Sequence, residues 1–175
     1  MRLIKILMAL LLFAGCTTSN KENVDDNNTG GQVPPNGDFV VIGDSVEMPA
    51  FEVQIELTQR ANKKIDELKE TIIVSAFFSG IPIDKTIPEY AESREFMVKD
   101  YRIILKNDKR IASFKAVKIH KDVFDALEDK NIEVLINIYS GRTSTNVNLL
   151  ECEILQGMIN DIKGKRHILK GELIE

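Results

Sequence analysis

The chain has 175 residues, 43% of them hydrophobic and 29% charged, with a formal net charge of -4. This is a globular composition with room for one domain and short extensions, and it excludes collagen-like, coiled-coil and wholly disordered chains. Eight Phe and three Tyr without Trp, with only two His and two Cys, leave little material for metal clusters or stacking platforms.

Arg2 and Lys5 precede an uncharged stretch from Ile6 to Ala14 that ends in Gly15 and Cys16. A spanning helix needs about 20 apolar residues, whereas a secretory core needs roughly 7 to 15 after a positive start, so the pattern is that of a signal peptide over residues 1–15. The junction Phe13-Ala14-Gly15-Cys16 resembles the lipobox of bacterial lipoproteins. Phe13 stands where Leu is more usual, while the small pair Ala14-Gly15 is what the peptidase of that family requires. The resemblance covers the first sixteen residues and implies cleavage before Cys16 and lipidation of its sulfur and new amino group. At ~0.8 kcal/mol per buried methylene, three acyl chains would anchor the protein permanently. Thr17 in place of Asp after Cys16 resembles lipoproteins forwarded to the outer membrane. The acidic, Asn-rich stretch from Lys21 to Asn28 loosely resembles tethers that carry some of them to the cell surface. The implied location is the cell envelope, lipid-anchored in the outer membrane, with the leaflet left open. An ordinary secretory signal with a chance cysteine is the plainer alternative.

Loss of residues 1–15 removes Arg2 and Lys5, leaving 21 basic against 27 acidic side chains and a formal charge of -6. Such a surface releases few phosphate counterions, so no nucleic-acid partner is expected, and attraction to anionic lipid is equally weak. Cys152 is the one thiol left after Cys16, which rules out a disulfide within the domain.

Residues 16–38 read as the lipidated cysteine and a flexible linker, rich in Gly, Pro and Asn, with a typical span of ~25 Å. The folded domain is expected over residues 39–175. Phe39 to Ile42 is a first strand. Phe51, Val53, Ile55 and Leu57 alternate with polar residues as in a half-buried strand. Ala61, Ile65 and Leu68 allow either a short helix or a loop. Thr71 to Ser79 is apolar on both faces, as a central strand would be, and Met97, Tyr101, Ile103 and Leu105 mark another strand. Asn107-Asp108 then reads as a turn. From Ile111 to Ile119 the apolar set changes face between Phe114 and Val117, the mark of a bulge or twist. Lys121 to Asp129 reads as a helix capped by Asp122 and crossing between strands. Ile132 to Tyr139, Asn148 to Ile159 and Arg166 to Ile174 complete eight strands, with a turn at Lys163. The expected fold is an all-β antiparallel sandwich with Greek-key connections, immunoglobulin-like or transthyretin-like, with one short crossover helix.

Catalytic patterns are sparse. Alternation puts Cys152 with Leu150, Ile154 and Met158 on a core face, so its thiol reads as a small hydrophobe. His120 and His167 belong to no ligand spacing, and the pairs Glu151 with Glu153 and Glu52 with Glu56 read as solvated strand faces. No nucleophile elbow, phosphate loop, calcium loop or zinc spacing occurs. The expectation is therefore no enzyme, no cofactor and no metal.

Two loops invite recognition. Gly80 to Glu95 is long and carries Ile81, Ile83, Ile87 and Tyr90, of which Ile83, Ile87 and Tyr90 are the candidate binding residues, and its apolar side chains either close the end of the sandwich or meet a partner. Ser140 to Asn148 offers Arg142 and Asn146 among hydroxyls, either for a sugar or anion or as a soluble hairpin loop. If strands alternate in direction from Phe39, the linker, the Asn107 turn and the Ser140 loop share the membrane-proximal end. The Gly80 loop, the helix near Val123 and the Lys163 turn share the distal end. The function expected is a non-catalytic binding module for an envelope or extracellular protein. A hydrolase inhibitor acting through the Gly80 loop and a glycan-binding accessory protein are the alternatives.

Overall fold

The structure, a computed structural model, describes Asn23–Asp25, residues 38–106 and residues 108–175. The signal peptide, Cys16, most of the linker and Asn107 of the expected turn lie outside the described residues. The described elements begin with β1 (Asn23–Asp25), β2 (Val40–Ile42), β3 (Ser45–Glu47), β4 (Phe51–Leu57) and α1 (Gln59–Leu68). They continue with β5 (Ile72–Gly80), α2 (Pro88–Ser93), β6 (Phe96–Leu105), β7 (Ile111–Phe114), β8 (Lys118–His120) and α3 (Lys121–Asp125). The last are β9 (Glu133–Ser140), β10 (Leu150–Cys152), β11 (Leu155–Met158), α4 (Ile159–Ile162) and β12 (Arg166–Leu173).

The protein is mostly β and sandwich-like, with three sheets ordered β1-β6-β5-β9-β11, β10-β12-β4-β7 and β2-β3-β8. The period-two residues do what their spacing requires. Ile72, Val74, Ala76 and Phe78 of β5 are buried, as are Val134, Ile136 and Ile138 of β9 and Phe51, Val53 and Ile55 of β4. Phe51 stacks on Phe114 at 4.7 Å, and Tyr101 of β6 tilts against the same Phe114 at 6.1 Å, which ties the first sheet to the second.

Two departures from the expected plan share one cause, which is that the chain changes sheet inside segments that read as single strands. Ile111 to Ile119 is β7 and β8, in different sheets, and the change of face coincides with Ala116 at φ 54°. Asn148 to Ile159 is β10 and β11, again in different sheets, so Ile154 and Met158 leave the face of Leu150 and are exposed. With β1 and β3 added, the described residues hold twelve strands where eight were expected. The sheets are not wholly antiparallel either, since β12 runs parallel to β4 with Arg166 beside Glu52 and Gly171 beside Leu57, and β1 parallel to β6. This order gives no support to a specific immunoglobulin-like or transthyretin-like plan.

The helices differ from expectation in the same physical way. Ala61 and Ile65 are buried, and Thr58 Oγ1 accepts the Ala61 N–H, so the ten-residue α1 forms and carries the chain from the β4 sheet to β5. It, and not α3 alone, is a crossover helix. The α3 helix is capped by His120, whose Nδ1 accepts the Asp122 N–H at 3.4 Å, in place of the expected Asp122.

The two ends of the domain also need correction. The Gly80 loop, α3 and the Lys163 turn do share one end: Pro82 bridges to Leu127, and the Ile159 N–H bonds the Ile132 carbonyl beside the start of β9. Thr71 and Gly141 meet at the other end, where the Ser140 loop lies. The domain entry, however, sits with the first group. Lys163 Nζ donates to Asp38 at 2.8 Å, and Phe39 packs on Phe124 at 4.9 Å. Simple alternation fails here because β2 and β3 form a separate hairpin, paired Val40 to Glu47 and Ile42 to Ser45, which adds one reversal of direction.

One polar residue breaks the wet-face reading of β4. Glu52 is 2% exposed, its Oε2 accepting from Arg166 Nε at 2.9 Å and Nη2 at 2.8 Å, with Ser113 Oγ at 3.3 Å from Oε1. A buried carboxylate stripped of its partner is costly, whereas replacing both charges is not. Arg166→Met is expected to lower stability by ~3 kcal/mol, and adding Glu52→Leu to recover most of that loss, as read by urea denaturation. A loss in the double variant equal to the sum of the Arg166→Met and Glu52→Leu losses would mean that the pair does not couple.

Candidate functional site

A groove opens on the outer face of the first sheet, at the end that carries the Gly80 loop. Its floor comes from apolar residues on the faces of β5 and β9 turned away from the core: Phe77 and Leu135 lie directly opposite one another. Its walls are Met97, Met158 and Ile81, which are 49%, 39% and 43% exposed. The groove has a volume of about 420 Å³.

Met97 reaches this face because of a bulge. Phe78 pairs with Lys99, but Ser79 pairs with Met97, so Val98 is the extra residue and the side-chain alternation flips there. Without that extra residue Met97 would share the core-side face with Tyr101, Ile103 and Leu105, where the periodicity placed it. On the far wall, β11 brings Met158 opposite Glu133 and Gln156 opposite Leu135. The Gly80 side is held by backbone bonds from Ile83 N–H to Ala126 O and from Glu128 N–H to Ile81 O, both 2.8 Å. Gly80 itself must be small, since a Cβ there would stand 2.7 Å from Leu127 Cδ2. Lys130 Nζ, donating to the carbonyls of Phe124, Asp125 and Leu127, fixes the turn that follows α3.

The rim is acidic. Glu95, Asp129 and Glu133 line it against one cation among the described residues, Arg94, with Asn131 and Gln156 beside them. Gln156 Nε2 donates to Glu133 Oε1 at 2.7 Å, which orients that carboxylate. Farther along the same face the apolar floor ends at Ser75, Asp100 and Arg102. There Ser75 Oγ, Asp100 Oδ1 and Arg102 Nε are buried with no hydrogen-bond partner among the described residues, although Arg102 Nη2 holds Asp100 Oδ2 at 3.3 Å.

None of the five binding residues chosen from sequence lines this groove. Ile83 is 64% exposed on the loop beside it, Ile87 precedes α2 and Tyr90 lies within α2, both half-buried. Arg142, at φ 57°, and Asn146 are exposed at the opposite end of the sheet. The two loops are therefore not one site. Phe77 carries a signal for the groove, because its run is apolar on both faces and a sandwich needs only one such face, whereas Leu135 stands between Glu133 and Asn137 on its face and carries none.

The Ser140 loop spends its hydroxyls internally. Glu70, 2% exposed, accepts from Thr143 N–H at 3.0 Å and Oγ1 at 2.6 Å, and from Ser144 N–H at 2.8 Å and Oγ at 2.5 Å. Thr71 N–H adds a fifth bond at 2.9 Å. Burial pushes the Glu70 carboxyl up, but the bonds from Ser144 and Thr143 outweigh it and hold the group down to about 2. Part of the loop that resembled an anion or sugar cradle is thus already occupied by a carboxylate of the protein itself.

Cys152 is half-buried, and burial pushes its thiol up to about 11, far from a nucleophilic thiolate at neutral pH. A Cβ on Gly171, directly opposite in β12, would come within 2.5 Å of its Sγ. The carboxylate pairs differ in environment: Glu52 is buried on Arg166 while Glu56 is exposed, and Glu153 Oε2 accepts the Lys170 N–H at 2.9 Å. Among the described residues no group of three or more His, Cys, Asp or Glu is placed to hold a metal ion, and no helix is long and apolar enough to cross a membrane.

Comparison with protein-family models, curated proteins and solved structures gives no match.

The Glu70 clamp has a defined pH signature. A carboxyl held below its ordinary value of 4.5 contributes stability that is complete above that value and is lost as the pH falls toward about 2. Urea denaturation at a series of acidic pH values should show stability falling over this window, with the fall shallower in Glu70→Gln. Parallel curves for the two proteins would show that the clamp has no such role.

Proposed function

We propose that this chain is a lipid-anchored envelope protein whose sandwich-like domain is a non-catalytic binding module, and that it binds another macromolecule through the groove over Phe77 and Leu135. The observation that carries the reading is the exposure of Met97, Met158 and Ile81 around an apolar floor with a carboxylate rim. A groove of this size on a rigid sheet buries apolar surface without reorganising the backbone. Methionine walls adapt to a partner because the side chain is unbranched and polarizable. The anchor rests on the lipobox resemblance at Cys16, with the ~25 Å linker giving the domain reach from the membrane.

A second reading, inhibition of a hydrolase, is supported by one feature of the Gly80 loop. Ile83 is largely exposed on a segment braced by the Lys85–Glu128 ion pair at 3.2 Å and by Asp84 Oδ1, which accepts from Thr86 N–H at 2.9 Å and Oγ1 at 2.6 Å. A preorganised loop with an exposed apolar tip loses little entropy on entering a cleft.

Two measurements test the proposal. Cys16→Ala should move the protein from the membrane to the soluble fraction and abolish incorporation of labelled palmitate. Partner capture from solubilised envelope should fall ~10-fold or more with Met97→Asp or Met158→Asp. A partner kept by both groove variants and lost with Ile83→Asp would favour the inhibitor reading.

A further inference from the structure

On the reading that the groove is a binding site, we infer that its ligand is an extended polypeptide segment that adds as a strand to β11, carrying a large apolar residue flanked at alternate positions by Lys or Arg. Three observations converge. First, β11 is an edge strand: its inner side pairs with β9 from Leu155 to Met158, and no described strand pairs with its outer side. Exposed edges are normally guarded by charge, proline or a covering element. Leu155, Gln156, Gly157 and Met158 contain neither a charged residue nor a proline.

Second, the edge abuts the apolar groove. Met158 and Gln156 of β11 lie on the same face as Leu135 and Phe77. Every second side chain of an added strand points to that face, about 4.8 Å beyond β11, so a leucine-sized residue there packs on Met158 and toward Leu135. Third, the charges select the flanking residues. Glu133 lies opposite Met158 in register and Asp129 stands on the same rim, with Glu95 across the groove. A basic residue two positions from the apolar one meets this rim, whereas an acidic one is repelled. Backbone pairing supplies affinity in this mode, and the groove and rim supply specificity.

The test uses the purified full chain and a fluorescent peptide in which lysine, leucine and lysine occupy alternate positions separated by threonines. Fluorescence anisotropy should show saturable binding that weakens ~10-fold or more when the peptide's alternate amides are N-methylated, when its lysines become glutamates, or with Glu133→Lys. Asp129→Lys, on an exposed turn residue, repeats the charge test without touching a strand. Equal affinity for the N-methylated peptide would overturn strand addition while leaving the groove as the binding site. Binding unchanged by Met97→Asp and Met158→Asp would overturn both. No binding of the lysine peptide would overturn the inference alone, since the envelope capture reads the groove independently.

Discussion

Complete burial of the core face of β5 is the constraint from which the rest of the architecture follows. Its core-side residues, Ile72, Val74, Ala76 and Phe78, are all at most 1% exposed, and Ser75 on the other face is buried as well. A strand of this kind must sit in the middle of a sheet, with β6 and β9 on either side and a second sheet against it. The β4 strand meets the same requirement in the second sheet, where β12 and β7 flank it. Each central strand needs neighbours from distant parts of the chain, and the chain supplies them by passing repeatedly between the two sheets.

The groove is a consequence of how that central strand ends. Toward Gly80 the outer face of β5 carries Phe77, and the bulge in β6 at Val98 turns Met97 outward beside it. The same local geometry that closes the core around Phe78 therefore leaves apolar side chains on the outside. Burying them against the rest of the domain would need a further element on that face, and among the described residues the Gly80 loop and the turn at Asp129 and Asn131 approach it from one end. An apolar floor ringed by carboxylates is stable in water because the rim is solvated, yet it remains available to a partner that brings its own apolar and basic groups.

Charge is distributed between two uses. At the Ser140 end, Glu70 is consumed by an internal network that holds Thr143 and Ser144, and on β4 Glu52 is consumed by Arg166. At the Gly80 end, Glu95 and Asp129 are exposed and Glu133 is bonded to Gln156. This asymmetry leaves the hydroxyl-rich loop, where composition alone suggested a polar site, bonded to Glu70, and leaves carboxylates on the rim of the apolar groove at the other end.

Period-two hydrophobicity was enough to locate the long strands, because Phe51–Leu57, Ile72–Gly80, Glu133–Ser140 and Arg166–Leu173 each bury one alternating set. Gly80, Thr58 and the Ala61–Ile65 spacing likewise carried local information, since turns and caps depend on nearby atoms. The parallel pairing of β12 with β4 was not legible, because strand direction is decided by where the chain returns and leaves no mark on alternation. The face of Met97 was hidden by a bulge that only register with β5 defines. Glu70 and Thr143 lie 73 positions apart, and nothing in their neighbours signals that one will clamp the other. The sequence by itself thus determined a β-rich domain, its principal strands and its acidic character, which are set by local periodicity and composition. Which outer face remained apolar, and which carboxylates stayed on its rim, was decided by tertiary structure alone, because those properties depend on pairing between strands remote in the chain.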